Sequence, residues 1–346
     1  MGPYYAQDAR ATVAFGFDAI KIDSCGPSGN IPAWRSELDK ASADAGASNP
    51  IEIENCRNYR YVDNLTQTTP CEAQLFRSTE DNAPDFLSIM ANLVMNTRAP
   101  TSRGAGPYGP TGPWGGLPIS HPGCWSYPDM LEIGPEKCKQ DLPAGTCGSH
   151  SSARREGGLN ANQSRTHFAA WCIVSSPLIL GHDLSSAESY DAAWPIVSNV
   201  DAIAIDQESA GNDFGRLVAV SNHSFKTDVY HGSGCECVWL GSSLPTWMVF
   251  AKRLNAAATR AAVLAINVGE SSLPAGSISV PMSAIFGVDE SADRFKSVDS
   301  ILEYDVWRQD ESERGPLTAV SDEDAPRWSA PELSPQSSYF VTLQTL

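Results

Sequence analysis

The sequence is poor in charge and short of basic residues. Only 19% of its 346 residues are Asp, Glu, Lys or Arg, and 24 basic residues face 41 acidic ones, a net charge of −17. So acidic a chain offers no basic face to a phosphate backbone, which argues against a nucleic-acid binder. It offers no polybasic segment for anionic lipid either. No uninterrupted apolar run reaches the roughly 18 residues of a membrane-spanning helix, so no membrane insertion is expected. The first residues, MGPYYAQDAR, carry neither the basic start nor the apolar stretch of a signal peptide. No C-x-x-C and no H-E-x-x-H occurs, so His121, His150, His167 and His182 lack a metal-ligand spacing and no metal is expected. No internal repeat or low-complexity tract is present.

What the chain does have is apolar bulk, 42% of residues, enough for a sizeable core. It also has nine cysteines. The separations of Cys56 from Cys71 and of Cys138 from Cys147 suit loop-closing disulfides. Cys235–Glu236–Cys237 fits a turn thiol pair or two separate bridges better than a metal site. Sequons at Asn64, Asn162 and Asn222 are compatible with a secretory route.

The first half alternates helical and β-like segments. Helices are predicted over Tyr4–Phe15, Pro32–Ala45, Asp85–Met95 and Thr166–Ser175. In the third of these, Phe86, Ile89, Met90, Leu93 and Val94 form one apolar stripe. Strands are predicted over Ala19–Asp23, Ile51–Asn55, Gln74–Phe76 and, as a buried strand, Pro177–Leu180. Such alternation implies parallel strands covered by helices. Ala99–Gly123, rich in Pro and Gly, and the polar Gly134–Asn162 read as long loops of the kind that carry function. After Gly211 the pattern becomes short β-rich runs: Trp247–Ala251, Arg260–Asn267, Ser277–Val280, Ile301–Asp305 and Tyr339–Thr342. These predict an antiparallel β domain. The division expected is 1–210 and 211–346.

Asp23 ends the AIKID run, Asp81 follows FRST, and Asp129 lies in CWSYPDMLEIG. In a parallel α/β barrel, groups at the carboxyl ends of strands converge on one mouth. Two carboxylates there are the machinery of glycoside hydrolysis. Lys21, two residues before Asp23, shares its side of the strand and is a cation that would hold Asp23 ionised. Arg77 is a second candidate cation. The same aspartates equally fit helix N-caps or turn formers, and Glu52 and Glu54 are rival carboxylates. Trp34, Trp114 and Trp125 are candidates either for stacking on sugars or for packing. Ser24 and Cys25 have no sequence signal of activation by a histidine.

Six ordered blocks turn these candidates into a resemblance. KIDSCG at 21–26, IEIENC at 51–56, LFRSTED at 75–81, PGCWSYPDMLEIG at 122–134, RTHFAAWCIVSSPLILGHDL at 165–184 and NVDAIAIDQESAG at 199–211 resemble glycoside hydrolase family 27, the alpha-galactosidase family. The resemblance implies a partial (β/α)8 barrel of about five strands followed by a C-terminal antiparallel β domain. It implies a retaining exo-glycosidase for terminal alpha-D-galactosyl residues, needing no cofactor, with galactosides as partners. Asp23 would be the nucleophile and Asp81 the acid/base. Lys21, Arg77 and Asp129 would contact sugar hydroxyls, and Arg57 stands at another sugar-contacting position. Cys56 and Cys71 would form a disulfide, and Cys25 would be unpaired. Alternatives are an alpha-N-acetylgalactosaminidase, a beta-L-arabinopyranosidase, or an inactive sugar-binding or structural remnant.

Departures accompany the likeness. The family pattern has three further βα units ahead of the first block, so an N-terminally incomplete chain with impaired activity is expected. Arg57 replaces a glutamate common in the family, Glu80 a small residue and Asn82 an apolar one. The full-length form would be secreted, lysosomal or vacuolar.

Overall fold

The computed structural model describes residues 4–23, 29–56, 73–79, 81–82, 84–96, 120, 123, 125–134, 158–208, 214–226, 243–287, 300–314 and 326–346. In the first half, strands β1 (Ala19–Ile22), β2 (Glu52–Asn55), β3 (Leu75–Arg77) and β4 (Trp125–Tyr127) form a parallel sheet in chain order. Helices α1 (Tyr5–Ala14) and α2 (Ile31–Ala45) cover its first two strands, with Ile22 and Ile53 packed among Ala9, Ile31, Trp34 and Leu38. The sequence dictates where α2 starts and stops. Asn30 Oδ1 accepts the Ala33 N–H at 3.0 Å, Pro32 sits in the first turn, and Gly46 ends the helix at φ 68°.

Helix α3 (Phe86–Asn96) begins at Asp85, whose Oδ1 accepts the N–H groups of Leu87 and Ser88 at 3.1 Å. Its predicted apolar stripe is present, but every residue of the helix is buried. The polar ones find partners. Asn96 Oδ1 accepts both Ser78 Oγ and Ser126 Oγ at 2.5 Å, and Asn92 Nδ2 donates to Pro128 O at 3.3 Å.

Pro177–Leu180 differs from expectation. It is irregular and only half-buried, and Leu180 is 41% exposed. Its pairing to the sheet is one parallel bridge, Leu131 with Leu180, closed by Leu131 N–H to Ile179 O at 2.8 Å and Gly181 N–H to Leu131 O at 3.0 Å. Among the described residues no strand lies on its far side to extend that ladder. Among the described residues the parallel sheet therefore has four strands and a bridge, against the expectation of about five strands.

Helices α4 (Ala161–Ile173), α5 (Ala187–Val197) and α6 (Val200–Gln207) follow. Beyond them lie β5 (Arg216–Val220), the pair β6 (Ser224–Lys226) and β7 (Ser243–Pro245), β8 (Trp247–Arg253), β9 (Arg260–Asn267), β10 (Ser279–Pro281), α7 (Met282–Phe286), β11 (Ile301–Asp305), β12 (Asp310–Arg314), β13 (Arg327–Ser329) and β14 (Ser337–Thr345). Six of these strands make an antiparallel sheet in the order β12-β11-β14-β9-β8-β5. One face of β9, with Ala262, Leu264 and Ile266, joins a core shared with α3 and α4. The other, with Ala261, Val263 and Ala265, packs under α7, β10 and β13. The halves meet closely at Gly215 (φ 61°), where a Cβ would stand 1.8 Å from Ile173 O.

Candidate active site

Side chains alternate along a strand, and partners in parallel register share a face. Lys21 pairs in register with Glu54, and Arg77 with Tyr127. Two-residue steps then place Lys21 and Asp23, Glu54 and Cys56, Leu75 and Arg77, and Tyr127 and Asp129 on one face. The opposite face carries Ile22, Ile53 and Phe76. The chemistry is therefore gathered on the side turned away from α1 and α2, at the carboxyl ends of the strands.

Arg77 is the hub. Its side chain is buried, with Nη1 3.0 Å from Asp129 Oδ1 and Nη2 3.1 Å from Asp81 Oδ1. Nη2 also approaches Thr79 O at 3.4 Å, and the guanidinium lies 5.9 Å over the Tyr127 ring. Burial by itself disfavours the Arg77 charge, but Asp129, Cys56 and Asp81 outweigh it and hold the group more firmly protonated than usual. Asp81 itself is exposed and Asp129 is buried. One guanidinium thus links an outward-facing carboxylate to an inward-held one.

Asp129 is held in place at a cost. Its φ is 86°, a region that non-glycine residues seldom occupy. Three contacts hold it there: Oδ2 accepts the Asn82 N–H at 2.8 Å, Oδ1 the Met130 N–H at 2.9 Å, and Trp171 Nε1 donates to its carbonyl at 2.7 Å. Asn82 also donates through Nδ2 to Met130 O at 2.8 Å. Asn82, next to Asp81, therefore ties the Asp81 and Asp129 segments together.

On the other side of the cluster, Lys21 Nζ lies 3.6 Å from Glu54 Oε1. Burial lowers the Lys21 pKa, but Cys56 and Glu54 raise it more, so the ammonium is held above its usual value. Burial pushes Glu54 above the usual carboxylate range, opposed by Lys21 and Arg77. Asp23 follows β1 directly and is exposed. It stands near Cys56, whose N–H donates to Ile22 O at 2.9 Å and whose thiol feels the Asp23 charge.

Cys56 is a free, buried thiol, and its Sγ accepts from Arg77 Nη1 at 3.6 Å. Burial is the main cause that lifts its pKa to about 11. The bridge to Cys71 is not made in this structure: Cys56 turns inward to Arg77, and Cys71 lies outside the described residues. So do Arg57, Glu80, Trp114, His121, His150 and the remaining cysteines apart from Cys172, which is also a free buried thiol.

Among the described candidates, Trp34, Trp125 and His167 each pack against another ring. Trp34 meets Tyr5 edge-on at 5.2 Å in the α1–α2 core, and Trp125 meets Phe214 edge-on at 5.2 Å. His167 is fully buried, accepts the Glu132 N–H at Nε2 and lies edge-on to Trp171 at 4.2 Å. Sequence reasoning missed the roles of Asn82, Trp171 and Tyr127. No local motif signals them, because each acts on a residue 42 to 50 positions away or on a neighbouring strand.

No family model matches the chain. It is 25% identical over 206 residues to Alpha-galactosidase 2 of Arabidopsis thaliana, covering 59% of this chain and 41% of that one. To the alpha-galactosidase of Cyamopsis tetragonoloba it is 23% identical over 214 residues, covering 59% of this chain and 39% of that one. The chain thus spans about two-fifths of the length of these curated relatives. Its fold is similar to alpha-galactosidase I from Mortierella vinacea, with a TM-score of 0.61, 16% identity, and coverage of 98% of this chain and 71% of that one. It is also similar to a β-L-arabinopyranosidase from Geobacillus stearothermophilus, with a TM-score of 0.63, 16% identity, and coverage of 99% and 61%.

Proposed function

We propose that the chain is a member of glycoside hydrolase family 27 and carries the catalytic carboxylates of a retaining alpha-galactosidase. Asp23 attacks the anomeric carbon of a terminal alpha-D-galactosyl residue while Asp81 protonates the departing oxygen. Water deprotonated by Asp81 then attacks the glycosyl-enzyme, and the sugar leaves with its configuration retained. Lys21, Arg77 and Asp129 grip the sugar hydroxyls; Arg57 joins them on the strength of the family resemblance alone. The observation that carries this reading is the strand-end constellation. Two cations and several carboxylates share one sheet face, and the exposed Asp81 is oriented by the buried Arg77. The Arg77 hydrogen bond fixes the orientation of Asp81 and leaves it open to solvent, where a leaving group and water can reach it.

The structurally similar β-L-arabinopyranosidase favours a second reading, in which the same carboxylates act on that pentose. A secretory, lysosomal or vacuolar route is part of this proposal, with the sequons as glycan sites. Asn222 is exposed, whereas Asn162 sits in the first turn of α4 with Ser164 of its sequon buried. The test is turnover of nitrophenyl alpha-galactoside, nitrophenyl alpha-N-acetylgalactosaminide and nitrophenyl β-L-arabinopyranoside, with the first anomer released followed by proton NMR. Galactoside turnover giving the alpha anomer first, and lost in Asp23→Asn, supports the reading. Undiminished turnover in Asp23→Asn removes Asp23 from the nucleophile role. Failure to process all three, in this chain and in a version extended by further βα units, leaves a sugar-binding or structural protein.

A further inference from the structure

Glu54 has no part in the two-carboxylate reaction, yet it is buried in the middle of the charged face. Its side chain is only 9% exposed, and Oε1 makes no hydrogen bond. A buried carboxylate is costly unless a charge compensates it. The compensation is an ion pair across one register step, from Glu54 on β2 to Lys21 on β1. Lys21 is two residues from Asp23, on the same side of β1. Arg77 is already engaged by Asp81 and Asp129. Where the Lys21 ammonium sits, and how much of its charge reaches Asp23 and a bound sugar, therefore depends on Glu54.

We propose that Glu54 is a positioning residue for sugar binding: it anchors the Lys21 ammonium on the reacting face through the β1–β2 ion pair. This rests on the assignment of Lys21 as a sugar-contacting cation. The charged groups facing Glu54 are Lys21 from β1, Arg77 from β3 and Asp129 from beyond β4, and the titratable Cys56 thiol just past the end of β2 also interacts with it. Protonation of Glu54 removes the anchor without moving the backbone, so sugar affinity falls as pH drops through the Glu54 titration. Burial raises that titration above the usual carboxylate range.

Glu54→Gln keeps the shape and removes the charge, and Glu54→Asp keeps the charge on a shorter stem. Two readouts are taken on the full chain: the Lys21 pKa from its 13Cε shift, and the Kd for D-galactose against pH. In Glu54→Gln the Lys21 pKa is expected to fall by about half a pH unit or more. Galactose binding weakens about tenfold near neutrality and loses its acid-side dependence, and Glu54→Asp restores most of both. A purely structural Glu54 would lower the unfolding temperature but leave both readouts alone, and that result overturns the proposal. The Lys21 pKa needs no turnover. Loss of the Asp23 assignment is therefore distinguishable from loss of this one.

Discussion

The four parallel strands are three or four residues long, and one of their faces carries Lys21, Glu54, Cys56, Arg77 and Tyr127. In the antiparallel sheet, β9 runs eight residues and β14 nine, and β9 buries Ala261 to Ile266 with apolar neighbours on both faces. The second arrangement is held by hydrophobic burial, which is non-directional and tolerant of small shifts. The first is held by charged pairs whose desolvation is offset only while every partner is present. One core nevertheless runs from α3 and α4 into β8, β9 and β14. The antiparallel sheet thus backs the helices that hold Asp129 and the end of β4, and its apolar mass supports a face that could not stabilise itself.

The sharpest way to break this contrast is to remove the hub. Arg77→Met fits the space but leaves Asp129, 3% exposed, without its cation. The expected cost is about 3–5 kcal/mol in urea unfolding, together with loss of the glycosidase turnover proposed above. Adding Asp129→Asn should recover part of the stability and none of the activity, since the orphaned charge is then gone. A cost below about 1 kcal/mol for the single variant would show that the charged face is not held by its pairs.

Leu264→Ala tests the other half. Leu264 is fully buried on the β9 face that meets the helices, flanked in register by Phe250 and Phe340. A loss of about 2–5 kcal/mol is expected from transfer and cavity terms, with Lys21 and Arg77 chemistry unchanged per folded molecule. A large fall in turnover at full folding would show that the two halves are coupled more tightly than shared packing requires.

The pH response should separate the halves as well. Burial lowers the His167 pKa to about 3. Its unfolded value is about 6.5, so between those limits the unfolded chain holds a proton that the folded one does not. Stability is therefore full above about pH 6.5 and declines as pH falls toward 3, by about 2 kcal/mol at pH 5. His167→Gln should flatten that acid limb. An unchanged slope between pH 5 and 7 in the variant would assign the acid sensitivity elsewhere.

Sequence pattern made the elements legible where one periodicity ruled. Predicted and observed limits coincide for Arg260–Asn267 and Ile301–Asp305, and the Phe86–Val94 stripe is present. It failed where tertiary packing decides. The Pro177–Leu180 run has strand composition, but a strand needs neighbours on its ladder and this run has a single bridge. Pro195 lies inside α5, a helix that no periodicity announced. The strand-end positions of Asp23, Asp81 and Asp129 were readable because barrel geometry turns chain position into location. The Lys21–Glu54 pair was not readable. Alternation places each residue on a face, but only the β1–β2 register brings them opposite one another.

The smallest expected effect lies at the seam between the two halves. Helix α4 opens with a capping box: Asn160 Oδ1 accepts the N–H groups of Asn162 and Gln163 at 3.0 Å, and Gln163 Oε1 accepts the Asn160 N–H at 2.9 Å. Gln163 Nε2 also donates to Gln336 Oε1 at 2.5 Å, just before β14, and Thr166 Oγ1 meets Ser338 Oγ at 2.9 Å. The cap thus fixes the first turn of a helix that packs on the antiparallel sheet and, through Trp171, bonds to Asp129 just beyond β4. Loss of an exposed cap alone costs about 1 kcal/mol. If the first turn is also the joint between the halves, its fraying releases the Gln336 and Ser338 contacts and the cost rises above about 2 kcal/mol. We expect the lower figure for Asn160→Ala in urea unfolding, because the apolar core behind α4 does not depend on that turn. Asn160→Asp, which retains the acceptor, should remain close to the parent, and a loss in Asp equal to that in Ala would remove the cap from the account.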